Sequence, residues 1–178
     1  MSELGSATGE RLEALAGDVV ALSAAFAKHE RYERAGQLCE TVLARVAAVD
    51  EPWAPPLQVR ARVRLGYAEA RRGRLAESMD AFESIFDVGE GALPVLSEMA
   101  DNATGQDGQL NAHAAWALLV RAMLLAHLGR TDDASAELAN LREHSTELGA
   151  TAIGHAIAQI AEQAQAELDA DAGRSSGE

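Results

Sequence analysis

The chain has 178 residues with 28 acidic and 15 basic side chains, a net charge of −13 that argues against general affinity for nucleic acid or an anionic membrane surface. Hydrophobic residues make up 48% and aromatics only 4%, so the core must be built from Ala, Leu, Val and Ile, a composition that predicts an all-α protein. Cys39 is the only cysteine, which excludes an internal disulfide and fits a reducing compartment.

Residues 1–9 are polar and predict a flexible start, and residues 10–169 read as a single helical domain. The spacing predicts a first helix over 10–29, with Leu12, Leu15, Val19, Leu22 and Phe26 at steps of three and four. After a break near Glu30 a second helix resumes, its apolar line Ala35, Leu38, Cys39, Val42, Leu43 and Val46. "DEPWAPP" at 50–56 is a firm stop, because proline lacks the amide hydrogen and restricts the residue before it. Pro56 then suits the first turn of a third helix that runs to about Arg72 and ends at Gly73. A fourth helix is expected over 75–87, followed by a connector at 88–109 that holds one short helix near 93–101. Residues 110–128 are strongly helical and stop at Gly129. Thr131 is placed as a cap, with Asp132 and Asp133 suiting the positive end of the next helix. A last helix over 147–169 carries Ile153, Ile157, Ile160, Ala164 and Leu168 on one face, and residues 170–178 read as a disordered tail. Helices joined in pairs by short turns, with longer connectors between pairs, are the economy of a helical solenoid.

Small residues, a turn residue and a large apolar residue recur in one register. Leu65-Gly66, Gly73, Ser78 and Phe82 form one set, and Ala122, Leu125, Gly129, Ala134 and Leu138 another. A third set is Leu22-Ser23, Phe26, Ala35 and Cys39, with Glu30 at the turn. This pattern resembles the tetratricopeptide repeat, whose two helices cross at small residues. The resemblance covers roughly residues 12–48, 57–87 and 112–144 and implies about three helical hairpins plus a C-terminal capping helix. Glu30, Gly73 and Gly129 are spaced more widely than the roughly 34 residues of the family, and Arg62, Glu69 and Arg121 stand where it has apolar residues.

At about 100° per residue, Arg60, Arg64, Tyr67 and Arg71 fall in one stripe between two apolar flanks, which predicts that the stripe faces open space. The resemblance places this stripe in the concave groove where the family binds peptides. Arg60 and Arg64 resemble two basic residues of the carboxylate clamps of some members, although Ala24 stands where the clamp asparagine would be. The same register adds Trp116, Met123 and His127 from the later pair and Lys28 from the first. Against this stands a bland alternative. The arginines can pair with the chain's own Glu33, Glu40 or acidic connector, and Trp116 and Met123 can be core.

No other motif carries chemistry. The histidines lack paired metal-ligand spacing, no nucleophile–base pair is visible, and Cys39 sits on a core line. The start, "MSELGSATGE", has neither a basic nor an apolar run, and no segment approaches a membrane span, so a cytoplasmic location is expected. The arginine-, alanine- and glycine-rich composition is associated with GC-rich bacterial genomes. The expectation is therefore a non-catalytic interaction module without cofactor or metal. Its partner is a protein or peptide, with an acidic or C-terminal carboxylate group as the candidate contact. The alternative is a small-molecule-binding regulator, with Trp116, Met123 and Tyr67 around an apolar pocket.

Overall fold

The computed structural model describes residues 9–101, 112–145, 157, 159, 161–162, 164–166 and 170. Among these residues there is no strand, and the protein is an all-α arrangement of packed helices. Seven helices appear in order: α1 Gly9–Lys28, α2 Tyr32–Val46, α3 Ala54–Arg71, α4 Leu75–Glu83, α5 Leu93–Asp101, α6 Ala112–His127 and α7 Thr131–Ser145. A 3-10 segment, Phe86–Ala92, follows α4 and contains Gly89 at φ 63°. The fourth helix is thus shorter than expected, because this tight turn takes over its last residues. The chain divides into two compact units, Met1–Ala92 and Leu93–Glu178.

Three turns join helices into pairs, and all three are built alike. Glu30, Gly73 and Gly129 adopt left-handed φ of 59°, 77° and 74°. Their amides donate to Ala27, Ala70 and Ala126, while the amides of Arg31, Arg74 and Arg130 reach back to Phe26, Glu69 and Leu125. This double closure satisfies carbonyls that the ending helix would otherwise leave unpaired. The carbonyls of Arg31, Arg74 and Arg130 then accept from Ala35, Ser78 and Ala134, so each arginine caps the next helix. Arg130, and not Thr131, therefore takes the capping place at α7, with its side chain bound to Asp133 at 2.6 Å.

Burial follows the same register. Ser23, Gly66 and Ala122 lie seven residues before the turn residue, and Ala35, Ser78 and Ala134 lie five after it; all six are buried. Four residues further on, Cys39, Phe82 and Leu138 are buried too. In the first unit α2 packs on both α1 and α3, α3 on α4, and α1 also meets α3. Its core joins Ala16 and Val20 of α1 to Cys39, Val42 and Val46 of α2 and Leu57 and Ala61 of α3. In the second unit α6 packs between α5 and α7, and every residue from Ala114 to Val120 is buried. The expected closing helix over 147–169 lies mostly outside the described residues, Ile153, Ile160 and Leu168 included. Of its described positions, Ile157 and Ala161 are buried, and Gln165 Nε2 donates to Ser135 Oγ on α7 at 3.2 Å. The segments expected to be flexible, 1–9 and 170–178, lie almost wholly outside the described residues as well.

Candidate functional site

α3 carries the arginine row and owes its start to Pro55 and Pro56 in its first turn, where no amide hydrogen is needed. Arg60, Arg64 and Arg71 are half-buried, and Tyr67 is only 7% exposed. The expectation of an open stripe is therefore corrected: α1 meets α3, and the middle of the stripe is spent on that contact. Arg64 Nη1 donates to the carbonyl of Val20 on α1, which also accepts from Ser23 Oγ at 2.7 Å. Burial lowers the pKa of Arg64, with neighbouring Cys39 opposing that shift and Arg60 adding to it. Cys39 itself has its thiol pKa pushed up by burial, against smaller opposing effects of Ser23 and Arg64. Cys39 is fully buried and packs in the core that α1, α2 and α3 share.

The C-terminal end of the row is different. The Arg71 guanidinium lies 4.8 Å from the centroid of the Tyr32 ring. Tyr32 in turn meets Tyr67 edge-on, with centroids 6.0 Å apart and planes at 80°. Burial raises the Tyr67 pKa first, the neighbouring Tyr32 second, and Arg71 opposes both. One turn away Arg31 sits 5.0 Å over the ring of Phe26. Among the described residues Arg71 has no carboxylate in ion-pair contact. Tyr32 also borders a shallow depression of about 420 Å³, which Glu30, Arg31, Glu33, Arg34 and Gln37 complete. Tyr32 lies outside the stripe that the sequence pattern picks out, although it is one of only two tyrosines and packs on the other, Tyr67. Its place two residues after a turn was the available signal.

The remaining expected contacts divide by unit. Lys28 is exposed at the end of α1 in the first unit. In the second unit Trp116 is 2% exposed, Met123 is half-buried and His127 is exposed. Trp116 is buried because its helix is enclosed all round at that level, the outcome the bland alternative described.

The bland alternative for the arginines is met by other residues than those expected. Arg72 and Arg74 both bind the buried carboxylate of Glu69, the former at 3.1 Å, and among the described residues neither Glu33 nor Glu40 forms an ion pair. A Cβ placed on Gly36 would stand 3.0 Å from Glu69 Oε1, so a glycine on α2 makes room for the charge. Arg121 Nη1 donates to Ser97 Oγ of α5 at 2.8 Å and its Nη2 to Glu137 of α7, tying three helices together. Arg62 is desolvated, with its pKa lowered by burial and held up in part by Asp87. Among the described residues no group of His, Cys, Asp and Glu side chains could hold a metal ion, and no helix is long and apolar enough to cross a membrane. No family model matches the chain, and no curated protein sequence matches it.

Proposed function

We propose that the hairpins are of the tetratricopeptide kind and that the chain is a non-catalytic interaction module. It takes an acidic segment of a partner protein, with a side-chain or C-terminal carboxylate docked on Arg71. The observation that carries this reading is the Arg71–Tyr32–Tyr67 stack. Acidic residues outnumber basic ones by 28 to 15 in this chain, yet Arg71 rests on a ring and has no carboxylate partner among the described residues. Stacking uses the flat face of the guanidinium and leaves its N–H edge for a two-pronged contact with a carboxylate. The stack also holds the side chain still before binding, which lowers the entropy lost on association. Arg64 is outside the proposed contact, because its Nη1 is committed to Val20.

The experiment is co-purification of the partner from the native host, followed by titration against Arg71 variants. Arg71→Ala should weaken binding about tenfold or more, as loss of a charge-assisted contact costs roughly 1.5–3 kcal/mol. Arg71→Lys should recover only part of the loss, since a point charge replaces a fork. The melting temperature should move by no more than a degree or two. Unchanged affinity in Arg71→Ala would overturn the reading.

A further inference from the structure

Of the residues that α3 buries, Glu69 alone is charged, and it is 2% exposed. Its carboxylate is held by the turn that follows the helix. Arg72 Nη1 donates to Oε1 at 3.1 Å and to Oε2 at 3.4 Å, and Arg74 Nε donates to Oε2. Gly36 on α2 leaves room for it, since a Cβ there would lie 3.0 Å from Oε1. Burying such a cluster is a weak source of stability, because desolvation offsets most of the attraction between the charges. Its consequence lies in the charge left at the surface.

The end of α3 and its turn bring Arg71, Arg72 and Arg74 together in one short stretch of chain. Three uncommitted guanidiniums so close would suit a phosphate group or a run of carboxylates. Glu69 takes two of them away. Its hydrogen bond is the main cause of a raised Arg74 pKa, to which the charges of Glu77 and Glu40 add. Arg72 and Arg74 line a depression of about 230 Å³ with Glu33, Gln37, Glu40 and Glu69. It adjoins the depression beside Tyr32, with which it shares Glu33 and Gln37. Across the two, Glu30, Glu33, Glu40 and Glu69 equal in number the arginines Arg31, Arg34, Arg72 and Arg74. Arg71, against the Tyr32 ring, is the charge in excess.

We infer that Glu69 is the specificity-determining residue of the Arg71 site: by holding Arg72 and Arg74 it restricts the site to a segment with a single carboxylate, against phosphate groups and runs of acidic residues. This rests on the reading of Arg71 as the carboxylate contact. The discrimination works by exclusion. Arg72 and Arg74 are already neutralised, and Glu33 and Glu40, which border the same depression, repel a second negative charge. Glu69 touches no ligand in this scheme and acts through the two arginines it holds.

Two short peptides of one sequence, blocked at both ends, serve as probes: one carries a single glutamate, the other phosphoserine in its place. Each is titrated to millimolar concentration into the isotope-labelled full chain, and Kd is read from backbone amide shifts. Arg71→Ala tests the underlying reading alone: it should weaken the glutamate peptide about tenfold, and no change there removes that reading and the inference with it. Glu69→Gln tests the selectivity. It frees Arg72 and Arg74 and should tighten the phosphoserine peptide at least tenfold, while the glutamate peptide changes by no more than about threefold. Adding Arg72→Gln and Arg74→Gln should cancel that gain, which a merely structural role for Glu69 would never produce. Arg72→Gln by itself leaves Arg74 on Glu69 and should bind the glutamate peptide as the wild type does, so the test stands even if Glu69→Gln fails to fold. A folded Glu69→Gln without the gain overturns the inference while leaving the Arg71 contact intact. So does a weakened glutamate peptide in Arg72→Gln, or a wild-type chain that already prefers phosphoserine about tenfold.

Discussion

The hairpins α1–α2 and α3–α4 share one frame and fill it in opposite ways. In the second, Gly66 faces Phe82; a Cβ on that glycine would lie 2.3, 2.5 and 2.8 Å from three ring carbons. In the first, the equivalent positions are Ser23 and Cys39, two side chains of middling size, both buried. The pair α6–α7 takes a third solution, Ala122 with Leu138. In the two later pairs a small residue is thus traded against a large one, whereas the first pair meets the same crossing with two smaller side chains. The turns differ too: Gly73 enters the left-handed region at no steric cost, whereas Glu30 enters it against its own Cβ.

The largest expected effect comes from disturbing the volume trade. Gly66→Ala should destabilise the protein by about 2–3 kcal/mol in chemical denaturation, because Phe82 is fully buried and has nowhere to retreat. Adding Phe82→Leu to that variant should restore part of the loss. Gly66→Ala with unchanged stability would mean that the two hairpins do not differ in the way described.

The turn comparison yields a smaller change of opposite sign. Glu30→Gly should stabilise by about 1 kcal/mol and raise the melting temperature, since it removes the left-handed strain at φ 59°. The extra freedom of glycine in the unfolded chain offsets part of the gain, which keeps the figure modest. The same substitution leaves the Arg71–Tyr32 stack in place, so binding of the acidic segment should not follow the change in stability.

The smallest effect concerns the position five residues after the turn. Alanine occupies it in two hairpins, as Ala35 and Ala134, and Ser78 in the third. The Ser78 hydroxyl is buried without a hydrogen-bond partner among the described residues. Ser78→Ala should therefore stabilise by about 0.5–1 kcal/mol, through relief of a desolvated hydroxyl and a better helix propensity. A loss of stability on thermal melting would show that the hydroxyl is satisfied in solution.

Much of this architecture could be read from local chemistry. Prolines at 55 and 56, glycines at 73 and 129, and apolar residues at steps of three and four act over a few residues of chain, and their consequences are the helix limits and the turns. Even Glu30 was identified as a turn residue from its register with the two glycines. The short helix at 93–101 was legible for the same reason. The limit of α4 was not, because a 3-10 turn and an α-helix have nearly the same local signature until packing chooses between them.

Which face of each helix is covered was decided only by tertiary structure. The leucine line of α1 and the arginine row of α3 look like a buried face and an open one when each helix is considered alone. In the folded chain Val20 offers its carbonyl to Arg64, and Leu22 is left at 48% exposure. Glu69 stands where the pattern that the sequence resembles has an apolar residue, and it is held there by Arg72 and Arg74 from beyond the helix end. Periodicity reports the pattern along one helix. Burial depends on the neighbours, and those are set by the way α1 and α3 meet around α2, which no single segment encodes.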